Sequence, residues 1–264
     1  MNVDARLAQR LEGAEARYAG GYAVACGGSA VAIAGGTSVF AGAGSPFGKA
    51  VGVGIEHPVT AADVDKLEAH LGTPARIELC PFSHESLARE LAARAYVVVE
   101  WNHVLVGAMP KDVTRGERDE RPDVGADDIR VRPVGAGEEA LWARVINQGF
   151  MDNDDVPDDA VALALPSTRA ESIRCVLAWE GDVAIGASAM GVHDGIASLF
   201  GSAVRVAWRR RGVQRALIRE RVAFAKAQGC DLVTACTLPG TGSQRNLERW
   251  GLRVVYPKLL MQRR

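Results

Sequence analysis

Ala197-Ser-Leu-Phe-Gly-Ser-Ala-Val204, followed by Trp208-Arg-Arg-Arg-Gly-Val-Gln214 and then by Arg215-Ala-Leu-Ile218 running on to Gln228, is the stretch that decides the fold. The first piece has the composition of a strand, the second reads as a sharp arginine-rich turn, and the third as a helix. Gly212 lets backbone approach a ligand closely. A helix start just after it presents unpaired N–H groups and the positive end of the helix dipole. Arg209, Arg210 and Arg211 add fixed positive charge at the same spot. Together these features predict a phosphate cradle, with a pyrophosphate as its natural guest.

Arg209-x-x-Gly212-x-Gln214 resembles the Arg/Gln-x-x-Gly-x-Gly/Ala signature of the GNAT superfamily of N-acetyltransferases. The surroundings are similar to that family as well. Asp231-Leu-Val-Thr-Ala-Cys-Thr237 reads as the next strand, and Ser243-Gln-Arg-Asn246-Leu-Glu-Arg-Trp-Gly251 as the closing helix before a last strand. The resemblance implies a mixed α/β fold, a central sheet flanked by helices, and acetyl-coenzyme A as co-substrate. It implies that the strand end at Val204 and Val206 offers backbone groups to the pantetheine arm. Backbone from Arg211 through Gly212, Val213, Gln214 and Arg215 to Ala216 would hold the pyrophosphate, with Arg209, Arg210 and Arg211 adding charge. Ser243 and Asn246 would lie near the thiol end. The chain departs from the signature at its last small position, which is Gln214. It also places Leu247 where the family often carries a tyrosine, and strand 197–204 holds no carboxylate. No catalytic acid or base is therefore assigned. His193-Asp194 reads as a hairpin turn, and Tyr256 is the nearest other phenol.

The chain has 264 residues, net charge −1 and 48% hydrophobic residues, an ordinary globular composition long enough for two modest domains. Its charge is uneven. Residues 205–264 hold fourteen Arg or Lys against three Asp or Glu, a balance suited to an anionic cofactor. Five scattered cysteines without a C-x-x-C pair support neither a disulfide framework nor a zinc site, and point to a reducing cytoplasm. The N-terminus shows no basic segment leading into an apolar run, so no secretory signal is expected. The stretch between Arg17 and Lys49 lacks charge, but glycine pairs at 20–21, 27–28 and 35–36 interrupt it. Tyr22–Cys26 and Ala30–Ala34 are expected to be short antiparallel strands, and a membrane span is rejected.

Residues 111–128 contain eleven charged residues out of eighteen and read as a linker. On either side the predicted elements follow one order: strand, turn, helix, strand, helix, strand. The simplest account is two tandem acetyltransferase-like domains, 1–110 and 129–264. The first is degenerate, because Glu56-His-Pro-Val-Thr60 stands where the second has its arginines and glycine. A pyrophosphate would find no counter-charge there.

Other motifs carry less. Gly135-Ala-Gly137 mimics a dinucleotide fingerprint, but Glu138 and Glu139 would face the phosphates. Asp152-Asn-Asp-Asp155 is an acidic loop that either draws an ammonium group towards the acceptor side or is simply solvated. The expected activity is direct transfer of acetyl from acetyl-coenzyme A to a primary amine in a small molecule or peptide. No metal, membrane or nucleic-acid partner is expected. One rival is a non-catalytic acyl-coenzyme A binder. The other is a nucleic-acid binder using Arg209–Arg211, Arg215, Arg219 and Arg221, which would lack interleaved aromatics on which bases could stack.

Overall fold

A computed structural model describes residues 3–42, 45, 47–112 and 128–263; the greater part of the expected linker, 113–127, lies outside the described residues. The chain begins with α1 (Ala5–Ala25), β1 (Ser29–Ile33), β2 (Gly36–Phe40), β3 (Lys49–Val51), α2 (Ala61–Leu71), β4 (Arg76–Leu79), α3 (Glu85–Ala93) and β5 (Tyr96–Ala108). It continues with β6 (Ile129–Pro133), α4 (Glu139–Met151), α5 (Asp158–Ala164), α6 (Pro166–Arg169), β7 (Arg174–Glu180), β8 (Val183–His193) and β9 (Ile196–Val204). The last elements are α7 (Val213–Ala227), β10 (Leu232–Thr237), α8 (Gly242–Arg249) and β11 (Arg253–Arg263). The fold is mixed α/β.

Two compact units emerge. The first comprises residues 1–105, 236–241 and 254–264, and the second comprises 106–235 and 242–253. The sequence boundaries of 1–110 and 129–264 did not anticipate that the last strand belongs with the first unit. The reason is in the pairing: β11 lies antiparallel to β4, with Leu259 opposite Leu79 and Met261 opposite Ile77.

In the first unit, α2 starts at a reciprocal capping box closed by Thr60 and Asp63. The core gathers Val64, Leu67, Ile77, Leu87 and Leu91, all fully buried. One expectation fails here. Tyr22–Cys26 is helical, not extended, because α1 runs unbroken through Gly20 and Gly21. Ala8, Leu11, Ala16, Ala19 and Ala23 give it a buried helical stripe, and a Cβ on Gly20 would come within 3.1 Å of the Ala30 side chain. The glycine permits close approach of helix to strand rather than a turn. No helix among the described residues is long and apolar enough to cross a membrane.

The interior of this unit also holds charge. Lys258, 1% exposed, lies 3.3 Å from Glu12, 2.5 Å from Glu15 and 2.7 Å from Glu78. Lys49 pairs with Glu15 and Glu78, and the Tyr256 hydroxyl donates to Glu12 at 2.8 Å. The three carboxylates converge closely, and the two ammonium groups fill the positions a cation would take.

In the second unit the strand order is β10-β9-β8-β7-β6. β9 and β10 are parallel, and the other pairs are antiparallel. Val176, Ala178, Ile185, Val213, Ala216 and Leu217 share a buried core between the sheet and α7. On α4, a Cβ on Gly149 would stand 2.6 Å from that of Ala203, so the helix rests directly on β9.

Candidate functional site

Two irregularities in β9 make the site. Its parallel register with β10 runs from Ile196↔Leu232 to Leu199↔Ala235 and stops there, although β9 continues to Val204. The backbone beyond Leu199 is therefore released from that neighbour. The register with β8 then steps from Ser202↔Ser188 to Phe200↔Ala189, which gives Gly201 no partner. Gly201 has φ +47°, a conformation that glycine adopts at little cost, and the strand bulges there. A cleft of about 710 Å³ opens along this stretch, bounded by β9, the 208–212 turn, the first turn of α7, α8 and the end of α4.

The turn is built as a cradle. Arg210 and Gly212 both take left-handed φ, +64° and +86°, and α7 starts directly after Gly212 with no side chain capping it. The Val213 and Gln214 amides at this helix start are thus left for a ligand. The arginines are not all idle. Arg209 donates to Val204 O at 3.2 Å, to Gly149 O at 2.8 Å and to the Asp152 carboxylate. That contact holds the Asp152 carboxyl below its usual range. Arg205 pairs with Asp154 at 3.1 Å, and Arg211 pairs with Glu180, which also accepts from Trp208 Nε1 at 3.1 Å. Arg210 enters no ion pair among the described residues and lines the cleft. The acidic loop 152–155 thus serves first as counter-charge to the turn.

Gln214, the residue that departs from the signature, lines the cleft with its side chain turned to Ser202: Nε2 lies 2.9 Å from Ser202 Oγ and Oε1 lies 3.2 Å from it. Behind Ser202 lies Arg221, 1% exposed. Its guanidinium donates to Leu217 O and Ala189 O at 3.0 Å each, to Phe200 O at 3.4 Å and to Ser202 Oγ at 3.3 Å. Burial lowers its pKa to about 9. Sequence reading grouped Arg221 with the surface arginines; its burial removes it from any polyanion surface. The signal available in the sequence was its i+4 position from Leu217 on the apolar stripe of α7.

The cleft lining brings together Val204, Arg209, Arg210, Gly212, Val213, Gln214, Arg215, Ser243 and Asn246. It leaves Val206, Arg211 and Ala216 outside: Val206 sits in a short 3-10 turn at 51% exposure, and Ala216 is on the buried face of α7. Gly149, Phe150, Ser202 and Trp208 are lining residues that sequence reasoning missed. No lining residue is a carboxylate, histidine, tyrosine or cysteine. Asp194 and Gly195 form the β8–β9 hairpin turn and His193 ends β8 opposite Ile196, at the far end of β9 from Val204. Tyr256 is buried and bound to Glu12, with a raised pKa that burial dominates. Glu138 accepts from Arg132 and from the Gly135 amide and is held at about 2, so the glycine pair at 135–137 forms an acid-bound turn and not a phosphate loop.

Residues 142–252 match the family model described as Acetyltransferase (GNAT) family. None of the curated proteins matches the chain. Among solved structures, a GCN5-related N-acetyltransferase from Kribbella flavida superposes with TM-score 0.65 at 15% identity, covering 100% of this chain and 96% of that one. A protein of the GNAT family from Novosphingobium aromaticivorans gives 0.58 at 14%, covering 95% and 96%. A tandem GNAT protein from the clavulanic acid biosynthesis pathway gives 0.55 at 10%, covering 76% and 67%. At these identities the likeness is one of fold.

Proposed function

From the match of residues 142–252 to the acetyltransferase (GNAT) family model, we infer an acetyl-coenzyme A-dependent N-acetyltransferase with one working cleft, in the second unit. The observation that carries this reading is the uncapped start of α7 under Gly212, opening on a cleft beside the stretch of β9 that lies beyond its register with β10. The Val213 and Gln214 amides and Arg210 suit a pyrophosphate, and the backbone of 200–204 suits an amide-bearing arm. Acetyl-coenzyme A would supply a thioester carbonyl to an amine bound beside it.

The residues present favour direct attack. No cysteine lines the cleft to take the acyl group first, and Cys175 is buried with a thiol pushed up by burial. As the amine nitrogen bonds to the carbonyl carbon, the carbon–sulfur bond breaks and the electron pair leaves on sulfur. With no titratable acid or base in the lining besides arginine, the amine's proton passes to water. The chain's part is to bind and orient rather than to move protons, which gives a rate rising with pH as the acceptor amine is freed of its proton.

Calorimetric titration with acetyl-coenzyme A tests the reading. One site per chain is expected, and Gly212→Asp should abolish it by placing a carboxylate in the cradle. Undiminished affinity in that variant would sink the assignment. Turnover across a panel of primary amines then separates an enzyme from a mere binder of the same ligand.

A further inference from the structure

Arg221 is the largest fully buried side chain of the second unit, and it faces no carboxylate. On its own helix Glu220 turns to Arg174 at 3.7 Å. β8 between Val183 and Val192, and β9 throughout, carry no titratable side chain. On α4 the titratable residues are Glu139, at its N-terminus, and Arg144, 3.7 Å from Asp158. Around the cleft Arg209 is balanced by Asp152, Arg205 by Asp154 and Arg211 by Glu180. Burying a lone cation carries a desolvation cost that hydrogen bonds to neutral carbonyls and a hydroxyl offset without neutralising the charge. An apolar side chain would fill the same volume without that penalty.

Where the charge sits is specific. Nη1 holds the carbonyls of Ala189 and Phe200, the cross-strand pair next to Gly201, which has no register partner. The Phe200 carbonyl belongs to the same peptide group as the Gly201 N–H, and a guanidinium on one end polarises the other. Nη2 donates to Ser202 Oγ, which also takes Gln214 Nε2. With both lone pairs engaged, the Ser202 hydroxyl has its own proton to donate, now to Gln214 Oε1 at 3.2 Å, and Ser202 lines the cleft.

Resting on the acetyl-coenzyme A reading above, we propose that Arg221 is a positioning residue. It holds the β9 bulge and passes its charge through the Phe200–Gly201 peptide and the Ser202 hydroxyl, so that the cleft favours the thiolate of departing coenzyme A. The counter-charge missing from the fold is supplied by the leaving group itself. Negative charge developing on sulfur as the carbon–sulfur bond breaks is then met by dipoles already oriented, with no acid needed to protonate it.

The test compares coenzyme A with desulfo-coenzyme A, which lacks the thiol, by calorimetry across pH in the wild-type chain, Arg221→Lys, Arg221→Met and Ser202→Ala. In the wild type, coenzyme A should gain affinity over the desulfo compound as pH rises through a value below the ordinary thiol value of about 8.5. Arg221→Met should move that gain up by about one pH unit, an about tenfold loss of thiol-dependent affinity in the intervening range. Arg221→Lys should keep most of the gain, and in Arg221→Met and Ser202→Ala desulfo-coenzyme A should lose clearly less affinity than coenzyme A. Equal loss for both ligands in Arg221→Met makes the residue merely structural and overturns the proposal. So does a wild type without a thiol-dependent gain. Should Arg221→Met fail to fold, Ser202→Ala carries the comparison, and an unchanged pH profile there is equally fatal. Failure of desulfo-coenzyme A to bind the wild type strikes instead at the acetyl-coenzyme A reading.

Discussion

Arg209 commits its guanidinium inside the fold before any ligand arrives, to two backbone carbonyls and to Asp152. The carboxylate therefore competes with a phosphate for the same cation. Asp152→Asn should tighten coenzyme A binding roughly two- to fivefold, the scale of one exposed ion pair. The gain should shrink in high salt, because exposed charges are screened. Titration at two ionic strengths checks this; weaker binding would mean that Asp152 organises the turn instead of competing with the ligand. Gly149 acts through shape alone. Its Cβ would meet the Ala203 Cβ at 2.6 Å and the Val204 amide nitrogen at 2.9 Å, a fixed methyl and a strand backbone atom that cannot swing aside. Gly149→Ala should cost about 1–3 kcal/mol as α4 is pushed off β9. In a thermal melt it should lower the midpoint by several degrees and loosen the cleft beside Val204.

At the scale of elements, capping decides where helices begin. Thr60→Ala removes one side of the Thr60–Asp63 box and should cost about 0.5–2 kcal/mol, read as a lower chemical-denaturation midpoint with unchanged slope. An equal loss in Asp63→Ala would show the box to be reciprocal. Such local signals were legible in the sequence, as were β9, α7 and α8, because an arginine-rich turn between a strand and a helix is encoded within some thirty consecutive residues. What stayed hidden depends on distant partners. Gly20 and Gly21 looked like a turn because the strand residue that needs Gly20 bare, Ala30, is distant from it in the helix pattern. β11 was read as part of the second half because no pattern within it names β4 as its partner. Arg221 looked like surface charge because the carbonyls it holds come from a bulge and not from a motif. That the end of β9 offers its backbone was implied by resemblance alone; in the structure its register with β10 ends at Leu199.

Across the molecule the charge divides between a basic C-terminal stretch and an acidic remainder, and part of that acid lies in the first unit's interior. Glu12, Glu15 and Glu78 outnumber Lys49 and Lys258 by one, so the cluster is neutral only when it holds a proton. Burial pushes the Glu12 carboxyl up to about 7, against the opposing pull of Lys258. Glu15 goes the other way: burial alone would raise it, but Lys258 and Lys49 together hold it well below the usual range. The signs follow from linkage. Glu12 binds its proton more tightly folded than unfolded, so its contribution to stability is present below about 4.5 and is lost as pH rises to about 7. Glu15 binds its proton less tightly folded, so its contribution is present above about 4.5 and fades as pH falls below that. Stability should therefore peak in mildly acidic solution, and the thermal midpoint should decline between about pH 5 and 7. Lys258→Met would leave the carboxylates with Lys49 alone and should destabilise the first unit by about 3–5 kcal/mol at neutral pH. The same variant should lose far less in acid, where the orphaned carboxylates take up protons. Thermal melts at pH 5 and pH 7.5 decide it: a deficit that does not grow with pH would mean that Lys258 stabilises by packing rather than by charge.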